Sequence, residues 1–178
     1  MQLHADIKEI LFTAEQIKSR VKELGRRISA DYRGKTLSLV GILNGVKPFL
    51  NDLMSALDLP VSHDFIALSS YGQSSVSSGI VQVLKDVALD ISGKDVLLVE
   101  DIVDTGLTLY TSIERLRAHK PATIKTCTLL NKQTRRSKAI TPDYCGFIIQ
   151  DVFVVGYGLD YAEKYRDLPY IGVMKVNK

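Results

Sequence analysis

Residues 96–109 read Val-Leu-Leu-Val-Glu-Asp-Ile-Val-Asp-Thr-Gly-Leu-Thr-Leu, and the fold class follows from them. The apolar start, Val96–Val99, is typical of a strand that is buried on both faces of a parallel sheet. Acids follow at once, and a helical pattern begins by Leu109. A buried strand that leads through a short loop into a helix is the repeating unit of an open α/β sheet. We therefore predict an α/β fold with a central, mostly parallel, twisted sheet flanked by helices.

Strand and helix patterns alternate on both sides of this stretch. Thr13-Ala14-Glu15-Gln16 has the form of a capping box, and apolar residues then recur at helical spacing, which predicts a helix from about 14 to 29. A second helix is predicted to open at Pro48, and a third to end near His119. The predicted strands are 36–43, 61–68, 80–84, 96–103, 123–130, 144–149, 152–155 and 170–176. Because no repeat or linker-like composition interrupts the pattern, residues 1–178 are interpreted as a single domain.

The composition excludes several classes of protein. The 178 residues are 46% hydrophobic and 24% charged, which is ordinary for a globular domain, and the net charge of +3 fits anionic small substrates without requiring nucleic acid. No apolar run reaches membrane length, and Met1–Ile10 lacks the apolar core of a signal peptide. Cys127 and Cys145 form neither a disulfide framework nor a zinc spacing. We therefore expect a cytoplasmic protein that binds neither a membrane nor nucleic acid.

The acids lie where an open α/β sheet binds ligands, at the carboxyl end of a strand. Glu100 and Asp101 are adjacent, Asp104 follows, and Thr105-Gly106-Leu107-Thr108 leads into the helix. Two hydroxyls, a glycine and a helix N-terminus together make a phosphate cradle. Acids are tolerated beside a phosphate mainly when a divalent cation or sugar hydroxyls lie between them. The stretch therefore predicts a phosphate site in which a divalent cation or sugar hydroxyls lie between the phosphate and the acids.

This stretch resembles the signature of the type I phosphoribosyltransferases, which bind 5-phosphoribosyl-1-pyrophosphate (PRPP). The resemblance implies their fold, with a small hood formed from the chain ends, and a requirement for Mg²⁺. It assigns Glu100 and Asp101 to the ribose hydroxyls and the metal, and Asp104 to a general base that faces N7 of a purine. The remaining residues of the ribose-phosphate loop would be Ile102, Val103, Thr105, Gly106, Leu107 and Thr108. Because Leu107 replaces the lysine of some relatives, phosphate binding would depend on backbone N–H groups and the two threonine hydroxyls.

Two further segments resemble the 6-oxopurine branch of the same family. Asn44-Gly45 follows the predicted strand 36–43 and is similar to its pyrophosphate loop, which implies that the backbone N–H groups of both residues hold pyrophosphate. Lys132 follows the predicted strand 123–130. The resemblance makes Lys132 the donor to the exocyclic oxygen of the purine, and a cation there would select hypoxanthine or guanine over adenine.

Residues 151–171 carry the second long match. In the resemblance Phe153 stacks on the base and Val154 offers backbone groups to its edge. Asp160 would belong to both the purine pocket and the metal site, and Arg166 would bind pyrophosphate. The basic run Arg135, Arg136 and Lys138, by contrast, is interpreted as a solvated loop.

Residues 69–79, with six serines and two glycines, are predicted to form the tip of a long hairpin. The family has a Ser-Tyr pair in this loop, matched here by Ser70-Tyr71, whose groups would approach the pyrophosphate. We expect the loop to be mobile in the free protein and ordered over bound substrates.

The sequence as a whole is interpreted as that of a Mg²⁺-dependent purine salvage enzyme. It would transfer the 5-phosphoribosyl group from PRPP to N9 of hypoxanthine or guanine. An adenine or pyrimidine transferase would share the ribose-phosphate loop, but such relatives generally lack an acid at the position of Asp104. The alternative that is not an enzyme is a regulator of the same fold that binds nucleic acid. The preference among hypoxanthine, guanine and xanthine, and the choice between homodimer and homotetramer, stay open.

Overall fold

The computed structural model describes residues 3–70, 81–134 and 136–175. Three helices lie among them: α1 (Ala14–Asp31), α2 (Lys47–Ala56) and α3 (Leu107–Arg117). The strands are β1 (Ile7–Phe12), β2 (Leu37–Leu43), β3 (Val61–Ser70), β4 (Val81–Lys85), β5 (Asp95–Val103), β6 (Thr123–Lys132), β7 (Tyr144–Ile149), β8 (Val154–Val155) and β9 (Ile171–Met174).

The central sheet has six strands in the order β4-β3-β2-β5-β6-β7. Only β4 runs antiparallel, as the second strand of a hairpin with β3, and the other neighbours are parallel. This confirms the predicted α/β fold with a mostly parallel sheet. Because β2, β5 and β6 are adjacent, the segments that follow them meet at one edge of the sheet.

Helices cover both faces of the sheet, so its central strands are buried. Thr13 caps the N-terminus of α1: its hydroxyl accepts a hydrogen bond from the Gln16 N–H, and its own N–H donates to the Gln16 side chain, as the capping box predicted. The buried face of α1, led by Ile17 and Val21, packs with α2 against one face of the sheet. α3 covers the opposite face through Leu109 and Leu116. The strand that begins the signature is buried throughout residues 96–100, as expected for a strand enclosed on both faces.

A second, three-stranded antiparallel sheet, β1-β9-β8, forms the hood. It joins residues from both ends of the chain, which confirms that feature of the predicted fold. β1 was not predicted, because its pattern is irregular and its pairing with β9 has two register shifts. The predicted strand 152–155 is shorter in the structure, since only Val154 and Val155 pair with β9. Phe153 precedes the strand, and its ring is therefore available to the site.

Some predictions fall outside the described residues. They are Tyr71 and the rest of the predicted loop beyond Ser70, the side chain of Ser70, Ile80 of the predicted strand 80–84, Arg135, and Val176 of the predicted strand 170–176. Within the described part of the chain, no helix is long and apolar enough to cross a membrane.

Candidate active site

A cavity of about 390 Å³ opens at the carboxyl edge of the central sheet. The ends of β2, β5 and β6 form its floor, and the hood and the segment after β8 form its other walls. The lining residues are Ile42, Leu43, Asn44, Gly45, Leu68, Glu100, Asp101, Ile102, Asp104, Thr108, Lys132, Phe153, Val154, Leu159, Asp160 and Arg166. Five parts of the chain that lie far apart in the sequence thus meet in one cavity.

Two adjacent carboxyl groups lie at the floor of the cavity. Burial raises the pKa of Asp101 to about 6, although the carboxylate accepts a hydrogen bond from the Ile102 N–H at 3.0 Å. Burial, and then the charge of Asp101, raise the pKa of Glu100 well above its usual value. Glu100 Oε2 is buried and has no hydrogen-bond partner among the described residues. A buried carboxylate oxygen of this kind is suited to a ligand that brings hydroxyl groups or a cation.

Lys132 lies between two carboxylates. Its side chain is 7% exposed, and its Nζ lies 3.6 Å from Asp104 Oδ2 and 3.7 Å from Asp151 Oδ1. Asp104 and Lys132 line the cavity, whereas Asp151 does not. Because a buried ammonium needs compensating charge, the two acids account for the position of Lys132 at the wall of the site.

Close backbone packing fixes the loop after β2. The peptide bond between Leu43 and Asn44 is cis. A Cβ atom at Gly45 would overlap the Asp101 carboxylate, and a Cβ atom at Gly158 would overlap the carbonyl oxygen of Gly45. Gly158 also has a φ of +96°, which favours glycine. Both glycines are therefore required for the loop to lie against the acids of β5.

Arg166 lies between Gly158, which packs on the Asn44-Gly45 loop, and Asp160 of the cavity wall. Its Nη1 donates to the Gly158 carbonyl oxygen at 2.9 Å, and its Nη2 lies 2.9 Å from Asp160 Oδ1. Nη2 also contacts the exposed Glu163. Asp160 Oδ2 in turn accepts a hydrogen bond from the Glu163 N–H. Arg166 thus faces the cavity as a partly buried cation next to the Asn44-Gly45 loop.

The loop after β5 turns into α3 at Gly106, which has a φ of +80° and is the residue that precedes the first helical turn. The Thr105 hydroxyl accepts a hydrogen bond from the Leu107 N–H at 3.3 Å. Thr108 lines the cavity from the first turn of α3. A helix N-terminus that opens toward the acids is the arrangement expected of a phosphate cradle.

An aromatic side chain covers the other end of the cavity. Phe153 is 49% exposed and lies edge-on to Tyr161, with 5.5 Å between the ring centroids. Val154 follows it in the cavity wall. A half-exposed phenyl ring at a cavity mouth offers an apolar face for stacking.

Most of the predicted site residues come together in this cavity, but not all. Val103 is buried in the core beneath α3, and Thr105, Gly106 and Leu107 surround the cavity without lining it. Ser70 belongs to β3, its side chain is not described, and Tyr71 lies outside the described residues.

The structure corrects one interpretation and adds residues that the sequence did not reveal. Arg136 was assigned to a solvated loop, but its guanidinium turns inward, donates to Asn131 Oδ1, and has its Nη1 atom buried. Asp151 and Gly158 lie within the second long match, residues 151–171, and the sequence predicted no role for either. The Gly156-Tyr157-Gly158 pattern could have indicated a tight turn at Gly158, whereas no local signal marks Arg136.

The carboxylates of the cavity are suited to bind a divalent cation together with the substrate. Within the described parts of the chain, no three His, Cys, Asp or Glu side chains are grouped closely enough to hold a metal alone. Mg²⁺ is usually bound by one or two carboxylates together with substrate phosphates and water. Glu100 and Asp101, with an unpaired buried oxygen, match that mode, and Asp160 is a third carboxylate that lines the same cavity.

Comparisons with known proteins agree on one family. The model of the phosphoribosyl transferase domain matches residues 8–162. The hypoxanthine-guanine phosphoribosyltransferase of Bacillus subtilis is 46% identical over 170 residues, which cover 96% of this chain and 94% of that protein. The crystal structure of a hypoxanthine phosphoribosyltransferase from Staphylococcus aureus superposes with a TM-score of 0.93 at 48% identity, covering 97% of this chain and 94% of the other.

Another similar protein is much longer than this chain. The bifunctional protein TilS/HprT of Listeria innocua is 44% identical over 173 residues, which cover 97% of this chain. The chain spans 27% of the length of that relative.

Proposed function

This chain belongs to the phosphoribosyltransferase family, and from that premise we propose that it transfers the 5-phosphoribosyl group of PRPP to N9 of hypoxanthine or guanine, releasing pyrophosphate. The observation that carries the choice of base is the position of Lys132. This lysine is buried at the cavity wall beside Asp104, in the cavity that the acids of β5 and Phe153 also line. A cation at that position donates to an exocyclic oxygen and repels an exocyclic amine.

The acid end of the cavity would bind PRPP. Glu100 and Asp101 would hold the ribose hydroxyls, and the N–H groups at the start of α3, with Thr105 and Thr108, would hold the 5-phosphate. The N–H groups of Asn44 and Gly45, with Arg166, would hold the pyrophosphate. Because the C1–O bond breaks as positive charge develops on the ribose, donors fixed around the leaving group stabilise the transition state. Ser70 and Tyr71 keep their predicted role at the pyrophosphate as part of this proposal.

The other end would position the base. Phe153 would stack on the purine, the backbone of Val154 and the wall near Asp160 would meet its edge, and Lys132 would donate to O6. Asp104 would accept the proton from N7, which raises the electron density at N9 for attack on C1. Holding both reactants in one cavity supplies the proximity that a two-substrate reaction needs.

Mg²⁺ would be held by Glu100, Asp101 and Asp160 together with PRPP, and when bound it would neutralise charge on the departing pyrophosphate. The raised pKa of Asp101 supports this role, because a nearby cation favours the ionised carboxylate that burial disfavours. We further propose one domain for residues 1–178, a cytoplasmic location and a homodimer or homotetramer. The regulator that binds nucleic acid has no support from the relatives, since those from Bacillus subtilis and Staphylococcus aureus are named as transferases.

The direct test is a substrate panel. Purified protein is incubated with PRPP, Mg²⁺ and one of adenine, guanine, hypoxanthine, xanthine or uracil, and nucleotide product is measured. We expect IMP from hypoxanthine, GMP from guanine, or both, with no product when Mg²⁺ is chelated. Product from adenine or uracil alone, or from none of the five bases, would contradict the proposal.

A further inference from the structure

Arg136 lies behind the ribose-phosphate loop rather than in solvent. Its Nη2 donates to Asn131 Oδ1 near the end of β6, and its Nη1 is buried without a hydrogen-bond partner among the described residues. A Cβ atom at Gly106 would be 3.2 Å from that Nη1. The guanidinium is therefore located directly beneath the glycine at which the loop turns into α3.

The segment that carries Arg136 is hydrogen-bonded to the ribose-phosphate loop. The main-chain N–H of Ser137 donates to the Thr105 carbonyl oxygen at 3.0 Å, and that of Lys138 donates to it at 3.3 Å. The Ser137 hydroxyl donates to this oxygen as well, at 3.2 Å. Ile140 of the same segment packs under Gly106, where a Cβ atom would be 2.8 Å from its Cγ2. Residues 136–140 thus support the loop from the side that faces away from the cavity.

Two carboxyl groups of the candidate active site influence the charge of Arg136. Burial lowers the pKa of Arg136, and the carboxyl groups of Glu100 and Asp104 oppose that effect. Arg136 is thus a partly buried cation close to two cavity acids, yet it does not line the cavity. The two acids compensate the charge of the partly buried guanidinium, while its buried Nη1 has no hydrogen-bond partner among the described residues.

We propose that Arg136 is a positioning residue for PRPP: from behind the loop, its guanidinium fixes Glu100 and the turn at Gly106 in the arrangement that receives the ribose phosphate. The inference rests on the proposed function, because it names the substrate of that site. Its side chain acts through Glu100 and the loop, and it does not touch the substrate. The expected signature is a loss of PRPP affinity without an equal loss of purine affinity.

The test compares three variants by calorimetric titration of PRPP with Mg²⁺ and by steady-state kinetics. Arg136→Met removes the charge, and we expect PRPP binding about tenfold weaker, with the KM for hypoxanthine changed less than about threefold. Arg136→Lys keeps the charge without the planar fork, and it should recover part of the loss. Lys22→Met is the matched control: it removes a charge from an exposed position of α1 that has no contact with the loop, and PRPP binding should stay within about twofold.

The outcomes separate the inference from the function on which it rests. Wild-type protein that does not bind PRPP overturns both. Wild-type binding that Arg136→Met leaves unchanged overturns the inference alone. Equal losses of PRPP and purine affinity, together with a lower Tm in both Arg136 variants, would make Arg136 a purely structural residue and also overturn it. Should Arg136→Met fail to fold, the PRPP and purine affinities of Arg136→Lys are compared with those of the wild type instead.

Discussion

The Lys132 ammonium lies 3.6 Å from the Asp104 carboxylate, so the cation assigned to the purine oxygen and the acid assigned to the purine nitrogen are direct neighbours. Asp151 flanks the same ammonium at 3.7 Å from outside the cavity. The pair presents a donor and an acceptor side by side, and N7 and O6 lie side by side on one edge of a 6-oxopurine. This geometry makes the two roles separately testable.

Asp104→Asn is predicted to lower kcat with hypoxanthine by about a hundredfold, the usual scale for the loss of a general base. PRPP affinity should change far less, because Glu100 and Asp101 remain. Asp151→Asn is the matched control, since it removes the other carboxylate beside Lys132 without altering the cavity wall, and its kcat should stay near that of the wild type. Similar losses in both variants would mean that Asp104 acts only by holding Lys132.

Lys132→Ala is predicted to weaken IMP or GMP binding by roughly tenfold to a hundredfold, the range for a charge-assisted hydrogen bond. PRPP affinity should change less, because Lys132 faces the base. Lys132→Met, which keeps most of the buried volume, should show the same pattern if lost charge rather than a cavity is the cause. Lys22→Ala on the exposed face of α1 is the control. A fall in PRPP affinity with unchanged nucleotide binding would place Lys132 on the phosphate side.

Asp101→Asn is predicted to stabilise the free protein while weakening PRPP binding. Since burial raises the pKa of Asp101 to about 6, its ionisation opposes folding, and this penalty develops as pH rises from about 4 through about 6. A shift of about two pKa units corresponds to at most about 3 kcal/mol, so urea unfolding near pH 7 should show a gain of up to that size. PRPP affinity, measured by calorimetry, should fall at least about tenfold.

The pH dependence supplies the control for Asp101. Near pH 4 the carboxyl group is protonated in the folded protein, so the stability difference between Asp101→Asn and wild type should largely disappear. A variant that is less stable than the wild type near pH 7 would contradict the assignment of Asp101 as a buried acid whose ionisation costs stability.

Gly45→Ala is predicted to reduce PRPP binding by about tenfold or more, because the new methyl group would overlap the Asp101 carboxylate and displace the loop that holds pyrophosphate. Gly93→Ala is the control: Gly93 has a φ of +68° but nothing lies within 4 Å of its added Cβ. That variant should lose about 1 kcal/mol of stability from the backbone alone and keep its kinetics. Equal KM values for PRPP in the two variants would argue against the packing explanation.

Local patterns predicted the strands whose ends carry the site, whereas the role of Lys132 was implied only by the resemblance to the family. Asp101, Asp104 and Lys132 each come at the end of a strand whose apolar run is evident in the sequence, and parallel pairing then brings them to one edge of the sheet. Arg136 could not be found in this way, because a basic run next to serine has the composition of a solvated turn whichever way one side chain points. β1 was missed because apolar and polar residues do not alternate regularly along Ile7–Phe12.

The hood also has a consequence for the order of folding. β5 and β6, whose ends carry Asp101 and Lys132, are joined through α3 alone and pair between residues that are near in the chain, such as Asp95 and Thr123. The sheet that presents Phe153 and Val154 depends on pairing between β1 and β9, and the neighbouring hydrogen bond from the His4 N–H to the Tyr170 hydroxyl spans 166 residues. Contacts at such separation carry the largest loop-closure entropy and form slowly. Refolding followed by hydrogen exchange should therefore find amides of β5 and β6 protected before those of β9, and the wall of the base pocket that contains Phe153 and Val154 should be the last part of the active site to assemble.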